Sequence, residues 1–201
     1  MQALFDLALR GDARQLEHDD GTISSLAVRR WHGHPDEVDV LLIERCRGAT
    51  LDVGCGPGRM TVGLTRRGLP AMGIDTSAEA VRMTVRRGGV AVQCDIFDPV
   101  PAEGQWDHVL LADCNLGIGG DLAVLLGRVH DVLSCGGSAL VEVAAPGTGL
   151  REGTARFGDG PWFPWTQADA EAVTRLGEEA KLVTTWTAER SGRWLVELTR
   201  R

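Results

Sequence analysis

A chain of 201 residues has room for one domain with a sizeable core and too little for two comfortable ones. Its 43% apolar and 24% charged residues are ordinary proportions for a globular protein, and a net charge of −7 argues against a nucleic-acid partner. The five cysteines (Cys46, Cys55, Cys94, Cys114, Cys135) contain no CxxC pair, so neither a disulfide framework nor a metal site is expected.

The first residues, "MQALFDLALRGD", carry Asp6 and lack a basic start followed by an apolar core, so they do not read as a signal peptide. No apolar run reaches membrane-spanning length, and a cytoplasmic protein with no membrane partner is the simplest expectation. Residues 1–48 read as an N-terminal helical lid segment and 49–201 as the core of a single domain. In "PDEVDVLLIERC", Pro35 is expected in a first helical turn, with Val38, Leu41, Leu42 and Cys46 on one face. The pairs Arg29-Arg30, Arg66-Arg67 and Arg86-Arg87 read as solvated helix ends.

From residue 49 onward, short apolar runs alternate with helical patterns. The runs are 51–53, 71–75, 90–95, 109–112 and 139–143, each too brief and too uniformly apolar for a strand with one wet face. Between them, Thr76 and Glu79 have capping-box spacing, and Leu122, Leu125, Leu126, Val129 and Leu133 line one helical face before Gly136-Gly137. Such alternation predicts right-handed crossovers and a parallel sheet. The stretch "APGTGLREGTARFGDGPWFPW" looks too irregular for regular structure. A helix follows it, with Thr166 and Asp169 spaced as a capping box, and the chain closes as a hairpin about Ser191-Gly192.

The stretch that bears on function is "LDVGCGPGRM", residues 51–60. A glycine-rich turn between strand and helix lets a ligand approach the backbone and aims free N–H groups at negative charge. The dinucleotide fingerprint GxGxxG fails here, because its third position falls on Arg59, where close helix packing requires a small residue. What stands instead is Gly54-x-Gly56-x-Gly58, preceded by Asp52. The next strand ends in Asp75, where an acid can accept from both ribose hydroxyls, and the third ends in Asp95-Ile96, which could hold an adenine. A ligand with a ribose, an adenine and a small charged tail fits all three stations.

These residues resemble the class I S-adenosylmethionine-dependent methyltransferases. "TLDVGCGPGRMT" is similar to that family's first motif, "GIDTS" to its second-strand motif, "CDIFDP" to its third, and "WDHVLLADCN" and "VLSCGGSALVEV" to its fourth and fifth strands. The resemblance implies an α/β fold: a doubly wound, Rossmann-like, seven-stranded and mostly parallel sheet in three αβα layers with a C-terminal antiparallel hairpin. It implies an S-adenosylmethionine cofactor whose amino-acid portion meets Gly54, Cys55, Gly56 and Gly58. Asp52 would order that loop, Asp75 and Thr76 would meet the ribose, Asp95 and Ile96 the adenine, and Ala112 and Asp113 the methionine side.

The expected activity is in-line methyl transfer to an O, N or C nucleophile of a small molecule by a monomer or homodimer. The alternative is a protein that binds S-adenosylmethionine without transferring a methyl group. His32, His34, Asp113 and Asn115 are the candidates for a base or a substrate-orienting group; for the two histidines, a lid or helix-capping role is the competing reading. Trp31, Trp162 and Trp165 are candidate substrate contacts, or loop packing. Cys114 lacks the Pro-Cys context of cytosine methyltransferases, and no Asn-Pro-Pro-Tyr is present, so a nucleic-acid base is not the expected substrate. The loop "NLGIGGD" could approach substrate closely or simply turn the chain into the next helix.

Overall fold

A computed structural model describes residues 2–201, with side chains from Phe5 onward. The chain begins with α1 (Gln2–Arg10), β1 (Gln15–His18), β2 (Ile23–Ser25), α2 (Val28–Trp31) and α3 (Glu37–Arg45). The alternating core follows: β3 (Thr50–Val53), α4 (Arg59–Arg66), β4 (Ala71–Asp75), α5 (Ala78–Arg86), β5 (Ala91–Gln93), β6 (Trp106–Leu111), α6 (Leu122–Val132) and β7 (Leu133–Val143). After it come β8 (Leu150–Arg156), β9 (Phe163–Ala168), α7 (Ala170–Glu179), β10 (Leu182–Arg190) and β11 (Arg193–Arg200).

Seven strands form one sheet in the order β10-β11-β7-β6-β3-β4-β5. Strands β3 to β7 run parallel, and β11 lies antiparallel between β7 and β10. The expected doubly wound sheet with a closing hairpin is therefore present. Strand β6 shows why its sequence is apolar without alternation. Val109 and Leu111 pack with Leu122, Leu125 and Val173 of α6 and α7, whereas Leu110 and Ala112 pack with Leu42 and Leu64 of α3 and α4. From β3 the chain winds outward to β5 and then returns to β6 on the other side. The strand order thus reverses at the β3–β6 junction, which opens a crevice at the strands' carboxyl ends.

Above that crevice lies a second sheet, ordered β2-β1-β8-β9 and antiparallel throughout. This corrects two expectations: residues 1–48 contribute two strands as well as helices, and the glycine- and proline-rich stretch after β7 forms a hairpin. Pro164 is tolerated because β9 is an edge strand. The cap has its own core of Leu16, Val28, Phe157, Phe163 and Trp165, against which Phe5 packs edge-on to Phe157 at 5.1 Å.

Several helix ends also differ from expectation. Ser77, rather than Thr76, caps α5 through the Ala80 N–H, and Asp169 caps α7 while Thr166 lies within β9. Pro35 precedes Asp36, the true cap of α3, whose carboxylate accepts from the N–H groups of Val38 and Asp39. Helix α6 stops at Val132 and passes directly into β7, so Gly136 and Gly137 belong to the strand. No described helix is long and apolar enough to cross a membrane.

Candidate active site

Between the strand ends and the cap lies a cavity of about 200 Å³. Its floor begins at the glycine loop, where Gly54 (φ +68°) and Gly56 (φ +51°) adopt the left-handed conformation that turns β3 into α4. A Cβ at Gly54 would stand 2.7 Å from Asn115 Nδ2, whereas a Cβ at Gly56 would meet nothing within 4 Å. The first glycine thus serves packing, and the second leaves open space in front of its backbone. Asn115 fastens the turn by donating from Nδ2 to the carbonyls of Val53 (2.8 Å) and Gly54 (3.0 Å). Gly58 caps α4 and lies off the cavity wall.

Three carboxylates line this floor, each tied to the backbone. Asp52 Oδ2 accepts from Thr61 N (3.0 Å) and Thr61 Oγ1 (2.6 Å), fastening α4 to β3. Burial pushes its pKa up to about 6 in spite of those two donors. Asp75 accepts from Gly56 N (2.9 Å) and Ser77 N (2.8 Å), one on each oxygen, and burial raises its pKa as well. Asp95 Oδ1 accepts from Phe97 N (3.1 Å), and Ile96 beside it is buried in the wall. Thr76 and Ala112 also reach the wall. Cys55 presents its backbone there, while its buried thiol stays neutral against Gly73 and Thr84.

At the end of β6, Asp113 and Cys114 take positive φ (54° and 66°), unusual for residues with a Cβ. A buried ion network holds them there. Arg30 donates from Nε (3.1 Å) and Nη2 (2.6 Å) to Asp113 Oδ1, and Arg59 pairs with Asp113 Oδ2 and with the fully buried Asp39. Arg193 completes the cluster through Glu142 (2.7 Å), Asp39 (3.1 Å) and Asp36 (3.0 Å), and Glu142 accepts the Asp113 N–H at 2.9 Å. Two of the supposed solvated arginine pairs therefore need correction: Arg30 reaches the cavity, and Arg87 binds the carbonyls of Pro57 and Gly33. Arg59, which breaks the dinucleotide motif, is a buried cation on the wall. Cys114 opens onto the cavity, yet desolvation and the carboxylates of Glu142 and Asp113 push its thiol up to about 12, leaving it neutral.

The cap supplies the opposite wall through Trp31, Trp165, Leu26 and the polar Ser24 and Gln167, none of the last three singled out by sequence. Trp162 stands elsewhere: it is 44% exposed and stacks on Arg156 at 4.5 Å. The histidines His32 and His34 also lie off the wall. His32 Nε2 meets the Leu9 carbonyl at 2.9 Å and ties α2 to α1, while His34 is near Arg66 at 3.3 Å. The glycine loop after Asn115 tucks beneath the cap, where a Cβ at Gly117 would strike the Trp165 ring at 2.5 Å.

Residues 50–137 match the family model for a methyltransferase domain. Over an alignment of 92 positions the chain is 35% identical to a ribosomal RNA small subunit methyltransferase C from Alcanivorax borkumensis; the alignment covers 39% of this chain and only 28% of that protein. Among solved structures, the fold is similar to an S-adenosylmethionine-dependent methyltransferase from Bacteroides fragilis in complex with S-adenosyl-L-homocysteine, with a TM-score of 0.76, 19% identity, and coverage of 97% of this chain and 91% of that one. It is also similar to the glycopeptide N-methyltransferase MtfA in complex with S-adenosylmethionine, with a TM-score of 0.66, 14% identity, and coverage of 85% and 96%.

Proposed function

We propose that the chain is a class I S-adenosylmethionine-dependent methyltransferase, a reading supported by the methyltransferase-domain match over residues 50–137 and by the fold, and that it methylates a small, partly apolar acceptor held under the cap. The observation that carries this reading is a single cavity with two chemically different walls. One is a polar floor of glycine loop and strand-end carboxylates, the other a cap presenting Trp31 and Trp165.

The floor fits the cofactor. Gly56 leaves open space before its backbone. Asp75 has one protein donor on each oxygen, so each oxygen keeps a lone pair for a ribose hydroxyl. Arg59 lines the cavity, and its buried Nε has no hydrogen-bond partner among the described residues, a vacancy that suits a ligand carboxylate. In this reading the Gly54–Gly56 backbone holds the amino-acid end, Asp75 and Thr76 the ribose, Asp95 and Ile96 the adenine, and Ala112 and Asp113 the methionine side. When bound, S-adenosylmethionine supplies an electrophilic methyl group on a sulfonium sulfur.

The chain's own task is then largely positional. The Arg30–Asp113–Arg59 chain of ion pairs fixes the end of β6 against the cap, and the aromatic wall excludes water from above. Asp52 holds the first turn of α4 so that the loop presents a fixed backbone.

Isothermal calorimetry with S-adenosylmethionine, and with NADH in parallel, tests the cofactor half. Micromolar binding of the first, lost in Asp75→Ala, is expected; tighter binding of NADH would sink the proposal. Formation of S-adenosylhomocysteine in an acceptor screen tests turnover, and binding without any product from any acceptor would favour a non-transferring protein.

A further inference from the structure

Resting on the methyl-transfer reading, we infer that Ser24 and His18 form a proton relay in the cap wall, and that the acceptor is a hydroxylated aromatic molecule deprotonated through it. Along β1, Leu16 and His18 share a face, and Leu16 pairs directly with Ser24 of β2. Leu16 and Ser24 both line the cavity, which places this face of the hairpin on the ligand side. His18 sits just behind them, only 8% exposed, with Nε2 at 2.7 Å from Ser24 Oγ. Across the curled cap, Gln167 Nε2 donates to the same Ser24 oxygen at 3.4 Å.

The relay uses the tautomer in which His18 Nε2 carries no proton and accepts from Ser24 Oγ. A serine hydroxyl has one donor and two acceptor sites. Gln167 donates to one lone pair, and the Ser24 proton is directed to His18 Nε2, so one lone pair remains for a hydroxyl in the cavity. Among the described residues no histidine or lysine lines the cavity itself, and the carboxylates there already hold backbone amides, Thr61 or arginines. Among the described residues His18 is the imidazole that reaches the wall through a single intervening hydroxyl. Charged groups on the strands around it are Glu17, paired with Arg156, Asp19, bound to Thr154, and Asp20, bound to Thr22 and 3.7 Å from Arg151.

The step balances. The acceptor's O–H bond breaks and its proton passes to Ser24 Oγ as the Ser24 proton passes to His18 Nε2. An acceptor oxyanion and an imidazolium result, with no change in net charge. The oxyanion is the nucleophile toward the methyl carbon, whose bond to sulfur breaks with its electron pair staying on sulfur; His18 afterwards returns its proton to solvent. An aromatic acceptor is favoured because Trp31, Trp165 and Phe5 line the cavity from the cap and Phe97 lines it beside Ile96. It also ionises far more readily than an alkyl alcohol. Ser24 touches the acceptor, and His18 acts through it as a positioning base.

The probe is 4-nitrophenol, whose phenolate absorbs at longer wavelength than the phenol, used without S-adenosylmethionine. Tryptophan fluorescence measures binding and the absorption spectrum measures ionisation, about one unit below the pKa of the free probe. The bound phenolate-to-phenol ratio should exceed that of free probe by about tenfold, one unit of pKa. His18→Gln and Ser24→Ala should abolish that excess while the probe still binds, and Ser24→Thr should retain it. If His18→Gln does not fold, the Ser24 pair decides. A neutral bound probe, no binding by the unaltered protein, or an excess that survives both substitutions and disappears in Arg30→Gln would overturn the relay. None of these outcomes touches the calorimetric test of the methyltransferase reading.

Discussion

Arg30 and Asp113 lie 83 positions apart in sequence, yet two guanidinium nitrogens of the first meet one carboxylate oxygen of the second, at 3.1 and 2.6 Å. The pair joins α2 of the cap to the end of the central strand β6 and is part-buried. Arg30→Ala should lower stability by about 1–2 kcal/mol, charge-assisted bonds discounted for partial exposure. The local signature is more telling. Amide exchange should accelerate in α2, where the N–H groups of Arg30 and Trp31 bond to Ala27, and stay slow in β3 and β6. Equal acceleration throughout would show that the pair is not a specific latch.

Arg59 raises a different expectation, because it is 2% exposed and bridges Asp113 to the fully buried Asp39. Burial lowers its pKa while the Asp113 carboxylate opposes that fall. Arg59→Met keeps the aliphatic volume but leaves Asp113 with Arg30 alone and Asp39 with Arg193 alone, a loss of about 3 kcal/mol, the low end for a broken buried pair. Arg59→Lys should recover little, since one ammonium cannot span both partners. Denaturant unfolding measures both, and a cost below about 1 kcal/mol would place the network outside the main supports of the fold.

Asp52 predicts a pH dependence of unusual sign. Its folded pKa of about 6 lies above the ordinary 3.8, so the folded state holds this proton more tightly than the unfolded chain does. Its contribution is therefore favourable at low pH and is lost as pH rises from about 4 to about 6; the full shift corresponds to about 3 kcal/mol. Asp52→Asn keeps an acceptor oxygen for Thr61 and has nothing to titrate. The stability of the variant relative to the unaltered protein should rise across that window and level off above it. A flat difference would mean the carboxylate is ionised throughout.

The parallel core was legible in the sequence because each strand is a short apolar run and each helix carries a stripe. The run 71–75 coincides with β4 residue for residue. The polar floor of the cavity was legible too, because the glycines and acids at strand ends that line it carry their chemistry locally. The cap was not. Strand β8, "LREGTAR", and strand β9, "FPWTQA", hold Gly153 and Pro164, which read as breakers until the pairing makes β9 an edge. Nor could local pattern reveal that Arg59 had partners in Asp39 and Asp113, or that Ser24 faced His18. These are contacts made by tertiary folding between residues that look like ordinary surface polar groups.

Trp31 and Trp165 stand on the cavity wall, and Trp162 stacks on Arg156 outside it. Binding of an apolar probe should quench fluorescence in the unaltered protein and equally in Trp162→Phe, and should quench it less in Trp31→Phe. Trp165→Ala is a poorer test of binding, because Trp165 is 7% exposed and its ring lies 5.7 Å from that of Phe5; its removal should cost about 3–5 kcal/mol of stability. Quenching that vanishes with Trp162 would relocate the ligand to the outer face of the cap.

Gly54 and Asn115 allow packing and backbone strain to be separated at the loop. Gly54→Ala places a Cβ 2.7 Å from Asn115 Nδ2 and also forces an alanine to φ +68°, which costs about 1–2 kcal/mol by itself. The clash should push Asn115 off the carbonyls of Val53 and Gly54 and loosen the turn that presents Gly56. S-adenosylmethionine affinity is expected to fall by at least about tenfold, some 1.4 kcal/mol. Asn115→Ala alone should weaken binding less, since the loop keeps its Gly54 and Cys55 amide bonds to the Ile74 carbonyl. In the double variant the clash is gone and only the φ strain remains, so it should bind more tightly than Gly54→Ala. If the double variant is instead worse by the sum of the two, the residues act independently and Asn115 does not fasten the loop.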